Sequence, residues 1–202
     1  MDLIIISVLG VIDLSQENKE ARLNSINGVF KDLYEQQDIV QELQIDGKVY
    51  RENYNAFLLD NLMTIQKIDI KTVHEAIIVN EIKADLKSYL PKVIQACDSI
   101  SELFYGEMDE GSWSHFGQLT EGLQWVGQSG HILQSAYAKR SEYNTAERES
   151  LDTFLQRLEI HIRELEAALQ EQDYTAAGDL IKYEMPDTFN LLLESLESEV
   201  VS

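Results

Sequence analysis

Hydrophobic and polar positions follow two different periods along the chain, and the change falls near Val73. Before it, short apolar runs alternate with turn residues. After it, apolar residues recur every three or four positions almost to the C-terminus. A period of two is typical of strands, and a period near 3.6 is typical of helices. We therefore predict an α+β protein, with a small mixed head over residues 1–72 and a helical part over residues 73–202.

The head is predicted to contain strands, one helix and a helical turn. The apolar run 3–9 indicates a strand covered on both faces, and Gly10 allows a turn into a second strand. Asp46-Gly47 is a hairpin signal, and Ser15 offers an N-cap for the helix. The predicted order is strand, strand, helix, strand, short strand, helical turn and strand, over residues 3–9, 11–14, 15–37, 39–45, 49–50, 54–62 and 67–71.

This order of elements and its spacings resemble the ubiquitin-like β-grasp. The resemblance covers the head, rests on element order and implies a protein-binding module. The predicted last strand runs straight into a helix and not into a Gly-Gly tail, so conjugation to another protein is not expected. The alternative is a packing domain that only supports the helical part.

The helical part is predicted to be an up-down antiparallel four-helix bundle. The helices are expected near residues 73–105, 112–140, 145–169 and 173–200, with Asn144 and Glu147 forming a capping box and Asp173 capping the last helix. Apolar residues at alternating spacings of four and three indicate shallow crossing angles, and short loops make neighbours antiparallel. Three helices plus a swapped or dimeric fourth are the alternative.

Pro91 and Pro186 both fall inside predicted helices, the first and the fourth. Proline deletes a helical hydrogen bond and clashes with a carbonyl group four residues earlier. In the antiparallel layout the two prolines reach the same height. The sequence therefore predicts paired kinks at one level of the bundle.

The second helix of this part carries several glycines and a second apolar strip. Its glycines, of which Gly122, Gly127 and Gly130 fall on or beside the core face, indicate close helix approach or, alternatively, a break near residues 127–130. Trp125, Ile132 and Ala136 form the second apolar strip. We expect this strip to pack against the head, a second subunit or a ligand. Because aromatic anchors dominate interface energies, Trp113 and Trp125, together with Ile132, are the candidate partner interface.

The chain is strongly acidic. It has 16 Lys and Arg against 36 Asp and Glu, a net charge of −20 and a pI near 4.4. Such a field disfavours nucleic acid and anionic membranes as partners. No Lys or Arg lies between Lys92 and Lys139. This stretch is either a solvated surface or a docking face for a basic partner.

The single cysteine and the apolar N-terminal run indicate in which cellular compartment the protein is expected. Cys97 is the only cysteine, so no intramolecular disulfide can form and a reducing compartment is expected. The apolar run 3–12 follows Asp2, is too short to span a bilayer and lacks a cleavage signal. We therefore expect a cytoplasmic protein without a membrane segment.

Motifs that carry chemistry are absent from the sequence. There is no glycine-rich phosphate loop, nucleophile elbow or Cys/His cluster, so no catalytic residue, metal ligand or cofactor is expected. His161 and Glu164 lie one turn apart and form either half of a metal site or an exposed pair. Cys97 lies at a core position, where a thiol acts as a small hydrophobe.

A segment near the C-terminus has a second resemblance. Residues 172–193 contain Asp173-Tyr174, Gly178-Asp179-Leu180 and Tyr183-Glu184-Met185-Pro186. They resemble a segment that recurs in uncharacterised helical proteins of low-GC Gram-positive bacteria. This resemblance implies a bacterial cytoplasmic origin and no activity.

These observations favour a non-enzymatic protein-interaction protein, an adaptor or chaperone-like binder, with a homodimer as one option. The alternative is a small-molecule or metal-binding helical bundle, in which the glycines and proline kinks open a pocket. An unrecognised hydrolase or transferase is the third hypothesis.

Overall fold

The computed structural model describes residues 3–51, 53–139 and 145–197. The chain divides into two compact units, Met1–Ile78 and Val79–Ser202. The first contains a five-stranded sheet with two helices, and the second is helical in all of its described elements. The α+β class, with an N-terminal sheet followed by helices, is therefore confirmed.

The sheet is mixed, with strand order β2-β1-β5-β3-β4. Parallel pairing joins β1 to β5, and the other neighbours are antiparallel. The Asp46-Gly47 hairpin forms as expected, with φ of 48° and 84° at the two residues, which suits a tight turn between antiparallel strands. The strands are β1 (Ile4–Ser7), β2 (Gly10–Asp13), β3 (Asp38–Ile45), β4 (Lys48–Tyr50) and β5 (Lys67–His74).

Two helices complete the first unit: α1 (Lys19–Glu35) and α2 (Tyr54–Asn61). The predicted cap of α1 at Ser15 is wrong. Asn18 caps the helix, its Oδ1 accepting from the Ala21 N–H at 2.9 Å, whereas Ser15 bonds to the Asp13 carboxylate. Apolar side chains of the sheet and helices form the core of this unit: Leu3, Ile5, Leu14, Ile26, Val29, Leu33, Leu43, Ile45, Leu58, Leu62, Ile65, Ile68 and Ile70.

The charged side chain of Arg22 is buried in this unit. Its guanidinium donates to the backbone carbonyls of Glu17 at 3.1 Å, Leu62 at 3.3 Å and Ser15 at 3.3 Å. Because an arginine presents five donors in a rigid fork, it can bond to several carbonyls at once. Arg22 therefore joins the start of α1 to the segment before it and to the end of α2.

The second unit consists of long helices. They are α3 (Glu75–Phe104), α4 (Glu110–Ala138), α5 (Thr145–Gln170), α6 (Tyr174–Asp179), a π-helical turn (Leu180–Glu184) and α7 (Met185–Glu197). Asp173 caps α6 as predicted, its Oδ1 accepting from the Ala176 N–H at 2.9 Å. The predicted cap at Asn144 lies outside the described residues. A single core built from all these segments fills the unit.

The two prolines do not lie at one height. Tyr105 Oη donates to Asp179 Oδ1 at 2.6 Å, and Lys182 bonds to Glu102, which sets an antiparallel register between the end of α3 and the π turn. Extending that register places Pro186 about 10 Å along the axis from Pro91. The prediction of a shared level is wrong. It assumed that the last helix starts level with the end of α3, whereas in this register α6 starts beyond that end.

The proline environments also differ. α3 remains helical on both sides of Pro91. Pro186 follows the π turn directly, where the Met185 N–H bonds to the Leu180 carbonyl five residues earlier. A π turn adds one residue to the helix, which changes the carbonyl facing the proline ring.

The glycines of α4 mark close helix approach. α4 is uninterrupted from Glu110 to Ala138, so the alternative of a break near residues 127–130 is wrong. A Cβ at Gly122 would lie 2.7 Å from Tyr89 Oη, and one at Gly130 would lie 2.8 Å from Leu155 Cδ2. Both distances are too short for a side chain without movement of the neighbour.

A buried charged cluster links α3, α4 and α5. Lys83 Nζ lies 2.6 Å from Glu147 Oε1, Tyr137 Oη donates to the same carboxylate, and Lys83 Nζ lies 5.2 Å from the Tyr137 ring centroid. Less than a tenth of the Lys83 and Glu147 side chains is exposed. Breaking such a pair strands a buried charge, which costs far more than breaking an exposed one.

A pair of substitutions in α4 tests the close approach. A Cβ at Gly117 meets nothing within 4 Å, so Gly117→Ala should stabilise the protein by up to about 1 kcal/mol through helix propensity. Gly130→Val should destabilise it by about 1–3 kcal/mol through overpacking against Leu155. Urea unfolding measures both, with Gly117→Val as the matched control. Equal stabilities of the two valine variants would show that α4 and α5 do not approach closely at Gly130.

A double-mutant cycle tests the buried cluster. Lys83→Met and Glu147→Gln should each destabilise the protein by about 3–5 kcal/mol, and the double variant by clearly less than their combined cost. The exposed pair Lys31–Glu35, at 3.6 Å, is the control and should show coupling of about 0.5 kcal/mol or less. Additive costs at Lys83 and Glu147 would contradict a coupled buried pair.

Candidate functional site: a groove between α3 and α4

An open groove of about 610 Å³ lies between α3 and α4, and we call it the α3/α4 groove. Its apolar lining comes from α3 residues Tyr89, Val93, Ala96, Ile100 and Leu103 and from Leu119 of α4. Gly122 forms part of the α4 wall. The two polar groups capable of carrying positive charge along it are Lys92 and His115.

The groove exists because α3 carries two overlapping apolar stripes. Leu86, Leu90, Cys97 and Phe104 face the core and are buried. Residues 89, 93, 96, 100 and 103 form a second stripe, also at alternating spacings of four and three, which lies on one side of the helix. Val93 and Ile100 belong to both stripes and are buried. The remaining members, Tyr89, Ala96 and Leu103, are only half-buried.

Two aromatic side chains stand at one end of the groove. The Tyr89 and Trp125 rings meet edge to face, with centroids 4.9 Å apart and an interplanar angle of 77°. A second cleft of about 370 Å³ adjoins the groove here and is also lined by Tyr89, Lys92 and Trp125. Gly122 lets the Tyr89 hydroxyl lie against the α4 backbone. The trough therefore continues past Tyr89 towards Asp85.

The structure separates the three residues predicted as a partner interface. Trp125, 38% exposed, lines the cleft at the end of the groove. Ile132, 50% exposed, lies two turns further along the same face of α4. Trp113 belongs elsewhere, to an aromatic cluster with centroids 6.2 Å from Phe104, 6.0 Å from Phe116 and 5.9 Å from Tyr174.

The interface predicted from the sequence includes none of the α3 residues that line the groove. The available signal was the second set of apolar positions at 89, 93, 96, 100 and 103. A helix with two such stripes has a wider apolar face than one packed neighbour covers.

Two carboxylates lie near the Trp125 end of the groove. Asp85 lines the cleft beside Trp125, and Glu121 lies one turn before Trp125 on α4 and is exposed. α3 after Lys92 and the whole of α4 contain no Lys or Arg. In the described part of the chain no basic side chain forms an ion pair with Asp85 or Glu121.

His161, which the sequence suggested as half of a metal site, contacts side chains of α5 and α7. His161 Nε2 lies 3.0 Å from Thr188 Oγ1 on α7, and Nδ1 lies 3.5 Å from Glu164 Oε2. Within residues 3–51, 53–139 and 145–197, no group of three or more His, Cys, Asp or Glu side chains is placed to hold a metal ion. His161 therefore contributes to packing between α5 and α7.

Cys97 lies in the core, facing away from the groove lining. It is fully buried, and burial raises the pKa of its thiol to about 12. A thiol with such a pKa carries very little thiolate at neutral pH and is a poor nucleophile. Its position agrees with the role of a small hydrophobe.

Comparison with known proteins places the groove inside a family domain. In the described part of the chain, no helix combines the length and apolar character needed to cross a membrane. No curated protein and no solved structure matches the chain. Residues 81–195 of the 202 match a family model described as "Domain of unknown function (DUF8042)". Since the match spans more than half of the chain and includes both walls of the groove, the chain belongs to the DUF8042 family.

Proposed function

We propose that this chain is a non-enzymatic protein-interaction protein, an adaptor or chaperone-like binder, that holds a helical segment of a partner protein in the α3/α4 groove. The observation that carries the proposal is the groove itself, which is long, apolar and open to solvent on one side. An apolar trough between two helices is the receptor in helix-in-groove recognition.

The length of the groove suits a helix. Tyr89 and Leu103, which line its two ends on α3, are separated by about 21 Å along the helix axis, the length of about four helical turns. The apolar positions of α3 repeat every three or four residues. A partner helix with the same repeat can place its own apolar stripe along them.

The Tyr89–Trp125 pair supplies the anchor. Tyr89 lines both the groove and the adjoining cleft, Trp125 lines the cleft, and both rings are partly exposed. Covering them would remove a large apolar area from water, and aromatic residues at the centre of interfaces carry a large share of binding energy. Ile132 extends the same face of α4 and adds to the surface. Trp113 would contribute to a separate contact or to packing alone.

The finer features of the fold belong to this proposal. The strand order β2-β1-β5-β3-β4, with β1 and β5 parallel, supports a ubiquitin-like β-grasp head, a module that binds proteins. α3, α4, α5 and the run α6–π turn–α7 support an antiparallel four-helix bundle, with the last run counted as one broken helix. A bacterial cytoplasmic origin fits the single buried thiol.

A small-molecule binder is the second candidate. Its support is the groove volume of about 610 Å³, which falls within the range of about 300–1,000 Å³ typical of ligand pockets. Lys92 and His115 would then be the polar groups that orient the ligand. Native mass spectrometry of the untreated protein separates the two functions, since a retained ligand mass favours this one.

A stapled helical peptide tests the proposed function. The probe carries leucines at helical positions i, i+3, i+4 and i+7 and uncharged Gln and Ala elsewhere, with a fluorescent label. It should bind the full chain, and Ala96→Trp, which fills the groove floor, should weaken binding by about tenfold or more, because it occupies the leucine site. Fluorescence anisotropy measures the affinity.

Ala84→Trp is the matched control. Ala84 lies on α3, is exposed and faces away from the groove lining, so this variant should bind the peptide as the unchanged chain does. Circular dichroism checks that both variants fold. Absence of peptide binding, or equal binding by both tryptophan variants, contradicts the proposed function.

A further inference from the structure

The two helices that form the α3/α4 groove carry an unbalanced charge. Beyond Lys92, α3 and α4 have carboxylates and no Lys or Arg. The segment that joins these helices, at the Leu103 end of the groove, adds Glu107 and Asp109. Asp85 and Glu121 lie at the Trp125 end. Carboxylates therefore flank the groove near both of its ends, whereas its own lining carries Lys92 and His115.

The carboxylates at the Trp125 end are available to a partner. Asp85 and Glu121 are exposed, and no basic side chain in the described part of the chain pairs with them. Glu81, one turn before Asp85 on α3, is also exposed. Three exposed carboxylates on α3 and α4 near this end, against the single cation Lys92, favour a ligand that brings positive charge next to its apolar stripe.

A second copy of the chain does not supply this chemistry. Each copy has a net charge of −20, so two copies repel each other. Among the described helices none carries more Lys and Arg than Asp and Glu. The described helices of a second copy therefore supply no net basic helix, and we assign the occupant to another protein.

We infer that the α3/α4 groove selects a basic amphipathic helix of a partner protein, about four turns long, with Lys or Arg flanking its apolar stripe. This inference rests on the proposed function and adds the chemical class of the partner. The apolar stripe covers Tyr89, Ala96 and Leu103. The flanking cations face Asp85 and Glu121 at one end and the carboxylates of the joining segment at the other.

Lys92 limits where the partner can carry positive charge at the Trp125 end. It is exposed and lines both the groove and the adjoining cleft, which Asp85 also lines. A neutral or acidic residue of the partner fits opposite Lys92, because like charges facing each other across an interface are destabilising. The cations of the partner helix at this end therefore face Asp85 and Glu121 and not Lys92.

Two peptides with one leucine stripe test the inference. The first has Lys at the flanking positions and the second has Glu, and both are measured against the full chain by anisotropy. The Lys peptide should bind about tenfold or more tightly at about 0.01 M salt. The difference should shrink towards about 1 M salt, where the screening length falls from about 30 Å to about 3 Å.

Charge variants assign the selectivity to the groove. Asp85→Asn with Glu121→Gln should reduce the preference for the Lys peptide several-fold. Glu149→Gln with Glu166→Gln, exposed on α5, removes the same net charge away from the groove and should leave the preference unchanged. A Lys peptide with scrambled leucines should bind weakly, because it has no continuous apolar face.

The outcomes separate this inference from the proposed function. Equal binding of the Lys and Glu peptides, both weakened by Ala96→Trp, overturns the charge selectivity and leaves the groove as a helix-binding site. Binding of the Lys peptide that is unaffected by Ala96→Trp overturns the inference as general attraction to an acidic surface. If neither charged peptide nor the uncharged one binds, the proposed function fails as well.

Discussion

The helical unit depends on how α3 divides its apolar surface. One stripe packs into the core, and the other, which shares Val93 and Ile100 with it, remains partly open to water. Because Val93 and Ile100 belong to both stripes, the groove lies directly beside the core. A movement of these two residues would change the groove and the core packing together. Any change that rotates α3 to close the groove would expose Leu86, Cys97 or Phe104, which are fully or almost fully buried. The groove is therefore a consequence of the core packing.

Contacts at the two ends of the helices maintain that arrangement. At one end, the Lys83–Glu147–Tyr137 cluster joins α3, α4 and α5 through a buried charge pair. At the other end, Tyr105 bonds to Asp179, which raises the pKa of the tyrosine to about 12. Between these ends, α4 touches the groove side of α3 where Tyr89 lies against Gly122. Polar contacts thus hold the helix ends while the apolar middle stays open.

The sequence predicted the elements better than their relationships. Period changes, the Asp46-Gly47 turn and the Asp173 cap depend on neighbouring residues, and these predictions agree with the structure. The heights of Pro91 and Pro186 depend on where the chain re-enters the core after α5, which loop length does not determine. The α1 cap moved from Ser15 to Asn18 because Asp13 engages the Ser15 hydroxyl. Hydrophobic periodicity does not show which of Ser15 and Asn18 caps the helix.

The groove escaped prediction for a similar reason. Tyr89, Ala96 and Leu103 follow helical spacing, and so do Leu86, Leu90 and Cys97. Periodicity identifies apolar faces, but it does not say whether a neighbouring helix covers them. The width of the α4 wall depends on Gly122, where the absence of a side chain admits the Tyr89 hydroxyl. Trp125 was recognised because an aromatic residue outside the core stripe stands out in the sequence, whereas Ala96 does not.

Charge and groove are best understood together. An apolar trough that is open to water promotes association between copies of the same chain. A net charge of −20 opposes that association, because identical polyanions repel at distances comparable to the screening length. In the role that we infer, the same charge attracts a basic helix towards the groove and speeds its encounter. A solvated acidic surface and a docking face for a basic partner then describe one feature, because the carboxylates that oppose pairing of the free groove with a second copy also favour a basic occupant.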